Sequence, residues 1–119
     1  GALTVILKKN ESVPEEVSAG GSTIGIRMPE SEAARTIINA AGAPLAAPSA
    51  NTSGKRSAAC AEDVLEDLDG KIDMVIDAGE SGSGLSSTVI DLSNEEMIMI
   101  RAGEITGEMI KEALNGRQH

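Results

Sequence analysis

Short apolar runs alternate with polar, glycine-bearing stretches along the chain, and their period changes from one segment to the next. Ala2-Leu-Thr-Val-Ile-Leu7 is short, apolar and β-branched, the pattern of a buried strand. Residues 10–21 are polar, with a helical turn over Pro14-Glu-Glu-Val17 and a break at Gly20-Gly21. Thr23-Ile-Gly-Ile-Arg27 predicts a second strand, stopped by Pro29. From Ser31 the period becomes helical. Ala34, Ile37, Ile38 and Ala41 fall on one face, Ser31 is the expected N-cap, and Gly42 the expected terminator.

Leu45–Ala47 predicts a third, short strand that runs into Pro48-Ser-Ala-Asn-Thr-Ser-Gly54, a segment dense in turn formers. A helix follows over residues 61–68, with Val64, Leu65 and Leu68 inward and Gly70 ending it. Residues 72–77 and 88–92 read as strands separated by Gly79-Glu-Ser-Gly-Ser-Gly84. Residues 92–97 make a hairpin turn and 97–101 the returning strand. Thr106 caps a last helix, with Met109, Ile110, Ala113 and Leu114 inward and Gly116 as its stop. A tight hairpin requires an antiparallel pair, so the fold class is α/β with a mixed sheet and flanking helices.

Composition narrows the function. At 119 residues the chain fits one compact domain. Ten Lys and Arg against nineteen Asp and Glu give a net charge of −9, which argues against a protein that binds chiefly by neutralising phosphate backbones. Phe, Tyr and Trp are all absent, which removes the base-stacking platforms of RRM and OB-fold modules from this chain and leaves its core to aliphatic side chains. Cys60 is the one cysteine and His119 the one histidine, so neither a Cys–His pair nor a zinc site is expected, and Cys60 reads as a small packing residue. The apolar runs are too short to span a bilayer, and a cytoplasmic location is the expectation. A strand at Ala2 fits a small domain that opens on a strand, or a segment downstream of something else.

Three regions gather chemistry near strand ends, where ligand crevices form. Pro48 to Ser57 supplies hydroxyls, an amide, a glycine and the cations Lys55 and Arg56 within one loop. Such a loop can cradle phosphate, although it lacks the P-loop pattern, and an ordinary polar connection is the simpler reading of these residues alone. Gly79 to Thr88 carries five hydroxyl residues (Ser81, Ser83, Ser86, Ser87 and Thr88) among three glycines, and reads as a flexible loop with the length to close over a ligand. Arg27 and Arg101 each end an apolar strand, where a guanidinium can reach solvent or pair with a carboxylate or phosphate. The acidic clusters around Glu62-Asp63 and Glu66-Asp67 read as a solvated helix face, and no metal site is expected.

The loops and strands together resemble the YrdC family of threonylcarbamoyl-AMP synthases. Gly1-Ala-Leu-Thr-Val-Ile-Leu is similar to the family's P-G-x-L-T strand, and Thr23-Ile-Gly-Ile-Arg-Met-Pro29 to its T-V-G-x-R-x-P. Ala46-Ala-Pro-Ser-Ala-Asn-Thr-Ser-Gly54 resembles A-P-S-A-N-x-S-G, the most specific of the set. Ser87-Thr-Val-Ile-Asp91 and Arg101-Ala-Gly-Glu-Ile-Thr106 resemble E-S-T-x-x-D and R-x-G-x-I-T. The order and spacing agree across nearly the whole chain.

The resemblance implies a twisted YrdC-like sheet that is here incomplete, residues 1–119 forming the C-terminal portion of a single YrdC-like domain. It implies condensation of L-threonine, bicarbonate and ATP to threonylcarbamoyl-AMP, for N6-threonylcarbamoylation of tRNA. Thr23, Ser49, Asn51, Ser57 and Arg101 would serve ATP, and Arg27 and Ser87 would hold threonine. No catalytic residue is assigned, and magnesium would arrive with ATP. The family is also described as RNA-binding, so tRNA or double-stranded RNA is an expected partner.

Some features depart from the family. Its N-terminal portion with a K-x-R motif is not in this sequence. Ser86 stands for the usual glutamate, Ala58-Ala59 for Pro-Thr and Ala102 for a proline, and a histidine is missing after R-x-P. The expectation is therefore that the chain alone is inactive and self-associates through uncovered apolar surface. The alternatives are a non-catalytic nucleotide- or RNA-binding remnant, or the YrdC-like module of a carbamoyltransferase.

Overall fold

A computed structural model describes residues 2–81 and 87–116. Gly1, Ser83, Ser86 and His119, all named above, lie outside the described residues. The described part separates into two compact units, one built from residues 2–43 and 87–116 and the other from 44–81.

The first unit is a four-stranded mixed sheet. Its strands are β1 (Leu3–Lys8), β2 (Thr23–Arg27), β3 (Thr88–Asp91) and β4 (Ile98–Arg101), in the order β2-β1-β3-β4. β1 pairs antiparallel with β2 and parallel with β3, and β3 pairs antiparallel with β4. All four match the strands expected from the apolar runs, to within a residue or two at each end. The pleat sorts their side chains onto two faces. Leu3, Val5, Ile24, Thr88 and Ile90 alternate onto one, and there Thr88 is 0% and Ile90 2% exposed. Thr4, Ile6, Thr23, Gly25, Arg27, Ser87 and Val89 occupy the other.

Three helices belong to this unit. α1 (Glu15–Ser18) is the single turn predicted at Pro14, and Lys9 ties it down by donating to Glu15 Oε1 at 2.6 Å and Ser18 Oγ at 3.1 Å. α2 (Glu32–Ala41) starts where the Ser31 hydroxyl accepts the Ala34 N–H and ends where Gly42 turns left-handed at φ 66°, as its sequence dictated. The final helix, Gly107–Asn115, is capped by Thr106 accepting the Met109 N–H; Gly116 ends it in right-handed rather than left-handed conformation. Only Ile110 of its expected inward face is buried. Met109 and Leu114 stay 49% and 59% exposed, and Ile37 of α2 also faces partly outward.

The second unit contains α3 (Ala61–Leu68), the helix expected there. α3 begins at Cys60, which supplies no side-chain cap. Asp63 reaches back instead and accepts the Ala59 N–H at 2.8 Å, an N3 carboxylate replacing the missing cap. Asp69 closes the helix and Gly70 follows in the left-handed region at φ 72°.

Here the sequence-based expectation needs correction. Neither Leu45–Ala47 nor Ile72–Asp77 forms a strand. Their β-branched and apolar composition reports fitness for a pleated, half-buried surface, and among its described residues this unit has no sheet for them to join. Leu45, Met74 and Ile76 remain 49%, 75% and 59% exposed, and Leu65, expected inward on α3, is 44% exposed. With the final helix following β4, it takes the label α4. Among the described residues no helix is long and apolar enough to cross a membrane.

Candidate functional site

The sheet unit brings four of the predicted residues onto one face. Arg27 stands opposite Thr4 on β1, Thr23 stands opposite Lys8 two alternations along, and Arg101 stands opposite Val89. Between Thr23 and Arg27, Gly25 carries no side chain, and a Cβ there would sit 3.3 Å from Thr4 Cγ2. A side chain at Gly25 would crowd the Thr4 methyl group, so the glycine lets Thr4 pack close along that row.

Ser87 is the hub. It is 7% exposed, just ahead of β3, and its hydroxyl lies 3.0 Å from Thr4 Oγ1. The Arg101 guanidinium grips it twice, Nε donating to the Ser87 carbonyl at 2.9 Å and Nη2 to its hydroxyl at 3.0 Å. A residue assigned to ATP and one assigned to threonine are thus physically one group. The fork geometry fixes the guanidinium plane, leaving its remaining N–H donors for a carboxylate or phosphate.

Beneath it, Thr88 points to the opposite face. Its hydroxyl donates to the Ile105 carbonyl at 2.7 Å and accepts the Ile105 N–H at 3.1 Å, which fastens the loop leaving Arg101 to β3. Sequence reasoning gave Thr4 no role and counted Ser87 and Thr88 among the hydroxyls of a flexible loop, whereas they are 7% and 0% exposed at the start of β3. The signal available was the threonine recurring in both strand motifs.

The loop unit holds the other three predicted residues. Asn51 and Ser57 line a shallow hollow of about 400 Å³ with Lys55, Arg56, Asp63 and Asp67. Ser49 lies in a second, more apolar hollow with Val64, Leu68 and Ile76. Asn51 straps the loop from inside, its amide donating to the Thr52 and Lys55 carbonyls at 3.0 and 3.1 Å, while its own oxygen is buried without a partner among the described residues.

The acidic residues read as a solvated face are not all solvated. Asp67 accepts the Thr52 N–H, the Thr52 hydroxyl and the Lys55 ammonium. The Lys55 ammonium, followed by the Thr52 N–H, holds the Asp67 carboxyl down at about 2, and Asp67 in turn raises Lys55. Asp63 is lowered first by the Ala59 N–H and then by Arg56, whose Nη2 is 3.8 Å away. The signal for these two lay in their i, i+4 spacing on a helix that follows a basic pair.

This geometry can now be set beside known proteins. The Sua5/YciO/YrdC family pattern, described as telomere recombination, matches residues 1–103, and the chain belongs to that family. It is 43% identical over 114 residues to a threonylcarbamoyl-AMP synthase of Pyrococcus abyssi, covering 96% of this chain and 34% of the relative. It is 45% identical over 120 residues to a threonylcarbamoyl-AMP synthase of Bacillus subtilis, covering 100% of this chain and again 34% of the relative. The chain thus spans about a third of the length of these two relatives. The crystal structure of P. abyssi Sua5 complexed with L-threonine superimposes with a TM-score of 0.90, covering 96% of this chain and 34% of that one at 43% identity. E. coli YciO gives 0.79 over 89% of this chain and 52% of that one, at 29% identity. The mixed sheet with flanking helices expected from the sequence is the family's fold.

Proposed function

We propose that the chain carries ligand-binding parts of a threonylcarbamoyl-AMP synthase, which condenses L-threonine, bicarbonate and ATP to threonylcarbamoyl-AMP for tRNA modification. The observation that carries this reading is the Arg101–Ser87–Thr4 group, on the same sheet face as Arg27 and Thr23. It is supported by a relative that shares 43% of its residues and whose structure holds L-threonine.

In this reading the Arg27 fork takes the threonine carboxylate and Ser87 its polar end. For ATP the reading names Thr23 and Arg101 within the sheet unit and, taken by itself, the Ser49, Asn51 and Ser57 loop of the other unit. The threonine amine and bicarbonate combine as a carbamate with loss of water, and a carbamate oxygen then attacks the α-phosphorus while pyrophosphate leaves. The residues present here act by orienting those atoms and offsetting charge, with no protein nucleophile. The loop's two cations, Lys55 and Arg56, face Asp67 and Asp63 and keep exposed donors for a phosphate, and in this reading the chain's part is to bind and orient.

Calorimetric titration of the chain with each ligand tests the assignment. Ser49→Ala is expected to weaken ATP alone and Arg27→Lys threonine alone. Arg101→Ala is expected to weaken both, because its guanidinium also sets Ser87. Each loss should be roughly ten- to hundredfold, the range for a charge-assisted hydrogen bond. Absence of binding of either ligand to the wild-type chain, or loss of one ligand only in Arg101→Ala, would overturn the reading.

A further inference from the structure

Loops of small polar residues do not hold a shape by themselves, because each ordered backbone residue costs conformational entropy that few internal contacts repay. The 48–59 loop gets its shape from outside. Within the 52–55 turn the loop supplies the Lys55 N–H to the Thr52 carbonyl at 3.0 Å, together with the Asn51 strap. The other bonds that fix this turn come from α3. Asp67 takes the Thr52 N–H on one oxygen, and the Thr52 hydroxyl (at 3.0 Å) and the Lys55 ammonium on the other. One helical turn earlier, Asp63 holds the loop's far end at Ala59.

We propose that Asp67 is a positioning residue for this loop: it fixes the 52–55 turn and tethers Lys55, so that an ATP phosphate chain meets donors already in place. The proposal rests on the reading of this loop as an ATP subsite. Asp67 touches no ligand in this account. It acts through Thr52 and Lys55. An ammonium on a four-carbon stem has three donors, so Lys55 can stay on Asp67 and still donate to a phosphate oxygen. Lys55 is suited to this, its side chain being 63% exposed while that of Asp67 is only 11% exposed. Tethering removes part of the ordering cost that binding would otherwise incur.

The experiment compares wild-type chain, Asp67→Ala, Asp67→Asn and Lys55→Met by calorimetric titration with ATP and, separately, with L-threonine. Amide hydrogen exchange of Thr52 is followed in the same samples. Asp67→Ala should lose about tenfold or more in ATP affinity, bind threonine as wild type does, and exchange the Thr52 amide faster. Asp67→Asn, which keeps one oxygen acceptor, should fall between the two. Lys55→Met should weaken ATP while quickening Thr52 amide exchange only modestly, far less than Asp67→Ala does.

Unchanged ATP affinity in a folded Asp67→Ala would overturn the proposal. Should that variant fail to fold, unchanged affinity in Asp67→Asn would overturn it equally. Equal loss of ATP and threonine would also overturn it, since that marks a general structural effect. A wild-type chain that binds no ATP would sink the ATP reading itself. The Thr52 amide would then decide separately whether Asp67 shapes the loop, and unaltered exchange in Asp67→Ala would end that idea too.

Discussion

The two units of this chain solve the same problem by different means. In the sheet unit, polar residues are ordered by backbone ladders: Arg27, Thr4 and Val89 are in register because their strands are, and Ser87 is added to that frame by hydrogen bonds to Thr4 and Arg101. In the loop unit, among the described residues there is no ladder. The chain there is held by side chains, chiefly two carboxylates of α3 reaching backbone N–H groups and cations of the preceding loop. A ladder places a residue by position in the sequence. A side-chain clamp places it only while its charges are paired. The first kind of order should answer to packing and buried hydrogen bonds, the second to pH and salt.

The largest effect is expected in the sheet unit. Thr88→Val keeps the shape of a fully buried side chain but strips both Ile105 backbone groups of their partner. Leaving buried polar groups unpaired should cost roughly 1–3 kcal/mol. A thermal melt should show a Tm several degrees lower, with Thr52 amide protection in the loop unit unaltered below the transition. An unchanged Tm would mean that the Thr88–Ile105 latch does not stabilise this unit.

A smaller effect is expected from acid in the loop unit. Asp67 is held at about 2, below its ordinary 3.8, by Lys55 and the Thr52 amide. A group depressed in the folded state stabilises it fully above the unfolded value. That contribution fades as pH falls from about 3.8 through about 2. Carboxyl resonances followed by NMR should place the Asp67 midpoint near the lower value, and Lys55→Met should move it upward. A midpoint at the ordinary value in the wild-type chain would remove the clamp from the description.

The smallest effect is expected from salt. Exposed ion pairs contribute little and are screened. Exchange of the Thr52 amide should therefore quicken modestly at high NaCl, while amides of the β1–β3 ladder hold steady. Equal sensitivity of both would erase the distinction between the units.

Much of the sheet unit was legible in the sequence because its elements announce themselves locally. Ser31 and Gly42 bracket α2 through capping chemistry that depends on a few neighbouring residues, and Thr106 starts α4 in the same way. The four strands stood out as short β-branched runs. Thr23 and Arg27 fell onto one face for an equally local reason, the two-residue alternation along β2.

The loop unit was less legible because its order is not local. Ile72–Asp77 has strand composition but, among the described residues, no strand beside it, and composition cannot reveal whether a partner exists. Asp67 resembles any helix-surface carboxylate until it is seen on Thr52, fifteen residues upstream. Which hydroxyl the Arg101 fork would hold was equally hidden, since Ser87 reaches it only through the β3–β4 hairpin.

The parallel pairing of β1 with β3 also has a consequence for the order in which the molecule comes into being. β2 leaves the ribosome soon after β1 and can close an antiparallel hairpin on it, a cheap local event. The other edge of β1 must wait for β3, and the Ser87–Thr4 hydrogen bond just ahead of that strand spans 83 positions in the chain. At roughly 5–20 residues per second of synthesis, that is several seconds with one edge of an apolar strand unpaired. Closing so long a span is entropically slow, and an open strand edge is a template for mispairing. Premature pairing of nascent β1 with foreign strands is thus the hazard this topology carries, and it ends only when Val-Ile-Asp of β3 arrives to fill the gap.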